Sequence, residues 1–228
     1  PLMTDLQRAQ LRPKCRRILE KFGHSDFILD DESYFTLGND AQPGNDSFYS
    51  DNVHKTPEPV KSKFQSKYEE KIMVWLAISP KGISSQYFVP SGLAVNQEVY
   101  LHECLKKRLE PMIKKYYSEG GYVFWPDLAS SHYANSVQEY LVKQNIQFVA
   151  KTDNPAKVPK ARPIEDFWGN IKRIVYDKGW KAKNLNQLKQ KISLVMRNMN
   201  LSLVQRHCMS VHSRLDTIRR YGVEKLYN

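Results

Sequence analysis

Three acidic residues stand where predicted elements begin, run or end. Asp31 lies in the strand-like stretch Phe27–Phe35, Asp127 closes the apolar run that starts at Tyr122, and Glu165 opens the helical stretch that follows Pro163. Isolated carboxylates on buried elements are costly unless a cation or hydrogen bonds compensate them. Hard oxygen donors suit Mg²⁺, which needs few protein carboxylates and keeps several waters. Each acid also has a plainer reading. Asp30 and Glu32 flank Asp31, and strand alternation places both on the opposite face, where either could be solvated. Asp127 could cap a turn. Glu165, with Asp166 as its rival, would be favoured by a helix dipole without any metal. One helical step turns Asp166 about 100° away from Glu165, so only one of the two is expected in a shared site.

The elements that must position these acids can be read in order. Leu11, Cys15, Ile18 and Leu19 recur at helical spacing in the basic stretch 1–25, and Gly23 ends it. That stretch reads as a linker from a preceding region. Phe27–Leu37 follows as a strand. Residues 38–70 carry Gly38, Pro43, Gly44, Pro57 and Pro59 among polar residues, a long loop that is either functional or disordered. Ile72–Ile78 and Ile83–Val89 form a hairpin around Pro80-Lys81-Gly82. A helix is expected from Asn96 to about Tyr117, with Leu101, Leu105, Leu109 and Met112/Ile113 inward and a kink at Pro111. Then come the strand Tyr122–Trp125, a helix from Tyr133 to Gln144 and a short strand, Ile146–Val149. A basic loop, Lys151–Arg162, leads into the Glu165 helix, and helices near 185–199 and 203–220 close the chain. This order predicts an α/β fold, a mixed sheet with helices packed against it, of ribonuclease H-like type.

Composition narrows the partner. The chain has 228 residues, and its 41% hydrophobic content fits one globular domain with appendages. Lys and Arg number 35 against 24 acids, for a net charge of +11, which points to a polyanion such as nucleic acid. No apolar run approaches the roughly 20 residues that span a membrane, and no signal-like start is present. Cys15, Cys104 and Cys208 lack metal spacing and read as reduced, intracellular thiols. Cys208 shares a helix face with Val211 and Leu215, so a core position outweighs a zinc site with His207 and His212. Trp75, Trp125 and Trp168 likewise sit on apolar runs and read as core.

Three motifs together resemble those of mariner-superfamily cut-and-paste DNA transposases. Asp31-Glu32-Ser33-Tyr34-Phe35 is similar to the segment around their first catalytic acid. Trp125-Pro126-Asp127, with His132 five residues beyond the acid, is similar to the second. Arg162-Pro163-Ile164-Glu165-Asp166-Phe167-Trp168-Gly169, with Lys172 following, is similar to the third. The resemblance covers residue 26 to the C-terminus. It departs from the commonest pattern in Leu128, in the use of Glu as third acid, and in the 37 residues between Asp127 and Glu165.

The resemblance implies a catalytic and metal-binding triad of Asp31, Asp127 and Glu165. It would hold Mg²⁺, with Mn²⁺ able to substitute, as two ions about 4 Å apart. Asp31 would bridge both. Double-stranded DNA, in the form of transposon ends and a TA target, a homodimeric paired-end complex and nuclear localisation are implied as well. So are a missing N-terminal helix-turn-helix region, a clamp-like role for 38–70 and a C-terminal helical part at 184–228. DNA contacts are expected from Lys157, Lys160, Arg162, Lys172 and Arg173, and from His132, which could instead be an exposed helix-start residue. A non-catalytic DNA-binding or assembly module, or a related metal-dependent nuclease or integrase, are the competing readings.

Overall fold

The structure, a computed structural model, describes residues 3–38 and 70–226. Most of the expected 38–70 loop therefore lies outside the described residues. The centre is a mixed sheet. Strand β1 (Asp26–Thr36) runs antiparallel to β2 (Lys71–Ser79), which also pairs with β3 (Gly82–Ile83) and β4 (Tyr87–Val89). On its other edge β1 runs parallel to β5 (Tyr122–Trp125). The returning arm of the hairpin, expected as one strand, is split in two. The register moves by one residue between the Ile78–Ile83 and Trp75–Tyr87 pairings, and the Ser84 hydroxyl accepts the Ala77 N–H there. This is the signature of a β-bulge. At the turn Gly82 passes so close to Tyr116 that a Cβ would lie 2.7 Å from its ring.

Alternation along β1 separates two cores. Phe27, Leu29 and Phe35 join the larger one, together with Leu76 and Ile78 of β2. That face is covered by α1 (Asp5–Phe22), α4 (Ile164–Val175), α5 (Leu185–Arg197) and α6 (Leu201–Tyr221), which contribute Cys15, Ile18, Phe167, Ile171, Ile192, Val211 and Leu215. Helix α1, expected as a linker, is thus part of this core. Ile28, Trp75, Ala77 and Phe124 face the other way. They pack on α3 (Asn135–Lys143) and on α2, which runs through Gln97–Val99, Tyr100–Leu109 and Glu110–Tyr116. Apart from partly exposed Trp180, the tryptophans are buried, as are the three free cysteines.

Two other expectations change. The middle of α2 is widened into π-helical turns, and the Glu110 N–H reaches back to Leu105 O. Tyr100, Cys104, Leu105 and Leu109 are consequently buried together, while Leu101 is only partly so. Pro111 follows directly, in the first turn of the α-helical end, where its missing N–H is best tolerated. The expected strand at Ile146–Val149 is a single bridge, Phe124–Phe148. Side chains cap several helices: Thr4 forms a capping box, and Asn96, Asn184 and Asn200 each accept a main-chain N–H of the first turn.

Candidate metal centre

β5 ends at Trp125, opposite Leu29, while β1 continues to Thr36. Carrying the parallel register two residues further sets Asp127 level with Asp31. Asp31 lies on the face covered by α4, whose first turn carries Glu165. All three acids line one cleft of about 180 Å³, bordered also by Asn154, Lys157, Pro159 and Arg162.

Glu32 is the surprise. Its side chain leaves β1 on the face opposite Asp31, yet Asp31, Glu32 and Asp127 offer oxygens within 4.8 Å of one another. Because β5 has already ended, no strand separates the two faces of β1 on this edge, and Glu32 reaches Asp127 around the open end. Glu165 is not part of this tightest group; it lines the cleft from the α4 side. Asp30, the other neighbour, is fully buried rather than solvated. It accepts hydrogen bonds from Tyr100 Oη (2.6 Å) and Trp75 Nε1 (3.1 Å). Asp166 turns away to Arg214 (2.8 Å) on α6.

His132 is buried, not exposed. Its ring stacks on Tyr100 at 3.7 Å, with Nδ1 2.5 Å from Asp127 Oδ1 and Nε2 3.5 Å from Glu32 Oε1. Burial opposes charge on this imidazole, but Asp127 and Glu32 outweigh it and raise its pKa to about 10. Burial by itself would raise Asp127; the bond and charge of His132, with the Ala129 N–H, hold it down to about 2. Asp31 behaves in the opposite way. Burial pushes its carboxyl up to about 8; Arg162 opposes this, while Glu165, Glu32 and Asp127 add to it. A cation would relieve that repulsion. Glu32 Oε1 is also buried without a hydrogen-bond partner. The hard, crowded and under-neutralised donor set fits a divalent ion.

The basic residues divide. Arg162 is largely buried, and its guanidinium donates to the carbonyls of Asp30 (2.5 Å) and Trp125 (3.2 Å). It ties the middle of β1 to the end of β5 and borders the cleft as well. Lys157 borders the cleft. Lys160 lies 3.7 Å from Asp166. Lys172, two turns along α4 from Glu165, sits over the Phe35 ring, where burial lowers its pKa while Glu165 and Asp31 raise it. Arg173 is exposed and bonds Asn170. His207 contacts Asn170 and His212 packs edge-on to Phe27.

Comparison with known proteins gives a consistent picture. No protein-family model matches the chain. It is 28% identical over 200 residues to the Tc3 transposase of Caenorhabditis elegans, matching 87% of this chain and 57% of the relative. The chain thus spans little more than half the length of that protein. Among solved structures, the Mos1 transposase paired-end complex with left transposon end aligns with a TM-score of 0.81 at 15% identity, over 98% of this chain and 64% of that one. The isolated catalytic domain of Mos1 mariner transposase aligns with a TM-score of 0.71 at 14% identity, over 98% and 97%. The fold is therefore that of the mariner catalytic domain, a ribonuclease H-like mixed sheet flanked by helices. Tc/mariner transposases are what this chain resembles in sequence and in architecture.

Proposed function

We propose that this chain is the catalytic domain of a Tc/mariner-like DNA transposase, a metal-dependent enzyme that cuts transposon ends and joins the freed 3′-hydroxyl to target DNA. The observation that carries the reading is the meeting of Asp31, Asp127 and Glu165 on one cleft, from a strand, a strand end and a helix start. Solved Mos1 paired-end complexes with Mn and with Mg share the fold, which supports Mg²⁺ as the resident ion and Mn²⁺ as a substitute; two ions as the working number rests on the resemblance. Asp31, Asp127 and Glu165 would hold them. When bound, such ions activate the attacking oxygen and stabilise the leaving one.

The chain's own residues do the rest. His132 keeps Asp127 ionised and fixes its Oδ1, and Arg162 ties the part of β1 that carries Asp31 to the end of β5 that leads to Asp127. Lys157 and Lys172 lie where they could take the phosphates that flank the scissile bond. Transposon ends and a TA target as substrates, a homodimeric DNA-paired complex and a nuclear site of action belong to the same proposal and rest on the resemblance.

A cleavage and strand-transfer assay with Mg²⁺ or Mn²⁺ tests it. Asp31→Ala, Asp127→Ala and Glu165→Ala should each abolish both steps while leaving DNA binding in place. Intact DNA in every wild-type reaction, with metal bound, would sink the enzymatic reading.

A further inference from the structure

Asn154 has no place in the triad, yet it is the most heavily tied polar side chain beside it. It is fully buried within the Lys151–Arg162 loop. Its Nδ2 donates to Pro126 O (2.8 Å) and to Tyr133 Oη (2.8 Å), and its Oδ1 accepts from Trp125 Nε1 (2.9 Å). Both amide hydrogens are committed, so nothing on the donor side is left for a ligand. The partners bracket the acid: Trp125 and Pro126 directly precede Asp127, and Tyr133 directly follows His132.

The loop is itself held from α1. Lys14 Nζ donates to Asn154 O (3.0 Å), while Arg17 and Lys21 grip the neighbouring Asp153 at 2.8 and 2.7 Å. A tie therefore runs from α1 through Asp153 and Asn154 to Pro126.

We infer that Asn154 is a positioning residue for Asp127: its buried amide, anchored by α1, sets the main chain on which the second acid and His132 are mounted. The inference rests on the metal-centre reading above. Groups that orient a ligand in this way typically change metal affinity by roughly 10–100-fold when removed.

The test compares wild type, Asp127→Ala, Asn154→Ala and Met112→Ala, the last a buried truncation in α2. Mn²⁺ binding is followed by calorimetry, and amide hydrogen exchange over residues 126–133 is measured without metal. Asn154→Ala should weaken Mn²⁺ binding about tenfold and speed exchange across 126–133. Met112→Ala should do neither at a temperature where both remain folded. If Asn154→Ala does not fold, Tyr133→Phe removes one of the amide's acceptors and should shift both measurements in the same direction by less. Unchanged exchange in the Asn154 or Tyr133 variant, or equal changes in Met112→Ala, overturns the inference. Absence of Mn²⁺ binding by wild type, or binding unaffected in Asp127→Ala, instead overturns the metal-centre reading, and exchange still decides the role of Asn154.

Discussion

Asp31 and Asp127 sit side by side, and their surroundings push them in opposite directions. Burial raises Asp31 to about 8, whereas His132 brings Asp127 down to about 2. Without a cation the cleft therefore holds one carboxyl that resists ionising beside one that is locked ionised. Glu32 contributes to the imbalance, and replacing it should separate a supporting acid from an essential one. Glu32→Gln is expected to weaken Mn²⁺ binding and slow cleavage without abolishing it, because Asp31, Asp127 and Glu165 remain. Asp166→Asn should leave cleavage unchanged and cost about 0.5 kcal/mol of stability, the scale of a partly exposed ion pair, here with Arg214. Complete loss of cleavage in Glu32→Gln, or any loss in Asp166→Asn, measured in a single-turnover assay, would contradict this division. A β-run, a strand end and a helix start are visible as patterns of residue type, but the choice of Asp31 over Asp30 and of Glu165 over Asp166 comes from the family resemblance. Glu32 could not be singled out beforehand. Period-two alternation assigns faces only where neighbouring strands flank both edges, and the point at which β5 stops short of Asp127 leaves no local mark. Asn154 gave no signal at all, since a buried asparagine in a Pro-punctuated polar loop reads like a solvated one.

At the scale of elements, long periodic segments were legible and local irregularities were not. Of the apolar stripe expected on α4, Ile164, Phe167, Trp168, Ile171 and Val175 are buried as its spacing implies, while Ile174 is exposed. The β-bulge at Ser84 and the π-helical turns of α2 each insert or redistribute one residue, which hydrophobic periodicity averages away. Yet the widened stretch of α2 begins with Tyr100, which stacks on His132 and donates to Asp30. Helix α1 shows the same limit. Its basic residues look like a solvated face, but Arg17 and Lys21 converge on a nearly buried Asp153. Lys21 first, then Arg17, outweigh burial and hold the Asp153 carboxyl below its usual range. A depressed folded-state pKa contributes stability that is present above the unfolded value of about 3.9 and fades as pH falls through the lower folded value. Asp153→Asn should therefore melt below wild type at pH 7, and the gap should close as the pH is lowered below 4. Thermal melts at pH 7, 5 and 3 check it; a gap that persists undiminished at pH 3 would mean that the two cations contribute nothing through charge.

For the whole molecule the question is how a net charge of +11 divides between holding the fold and the proposed contacts to DNA. Counting Lys and Arg treats all of them as one footprint, and the structure does not. Arg162 and Arg214 face inward to main-chain carbonyls and to Asp166. Lys157 and Lys172 border the cleft or overlook it, and Arg173 is exposed on the same helix as Lys172. Each phosphate contact releases condensed counterions, so log K falls with log salt with a slope of about −0.9 per contact on duplex DNA. If Lys157, Lys172 and Arg173 meet phosphates, alanine at each should weaken duplex binding on any sequence and make that slope shallower by about 0.9. Arg162→Ala should act differently. It frees the carbonyls of Asp30 and Trp125, lowers the melting temperature and loosens the acids, but leaves the salt slope of the folded fraction where it was. Fluorescence anisotropy of a labelled duplex from low to moderate salt reads both quantities. A shallower slope for folded Arg162→Ala, with unchanged slopes for Lys157→Ala and Lys172→Ala, would move the DNA path to the far side of the cleft. It would also assign Arg162 the DNA contact expected of it from the sequence.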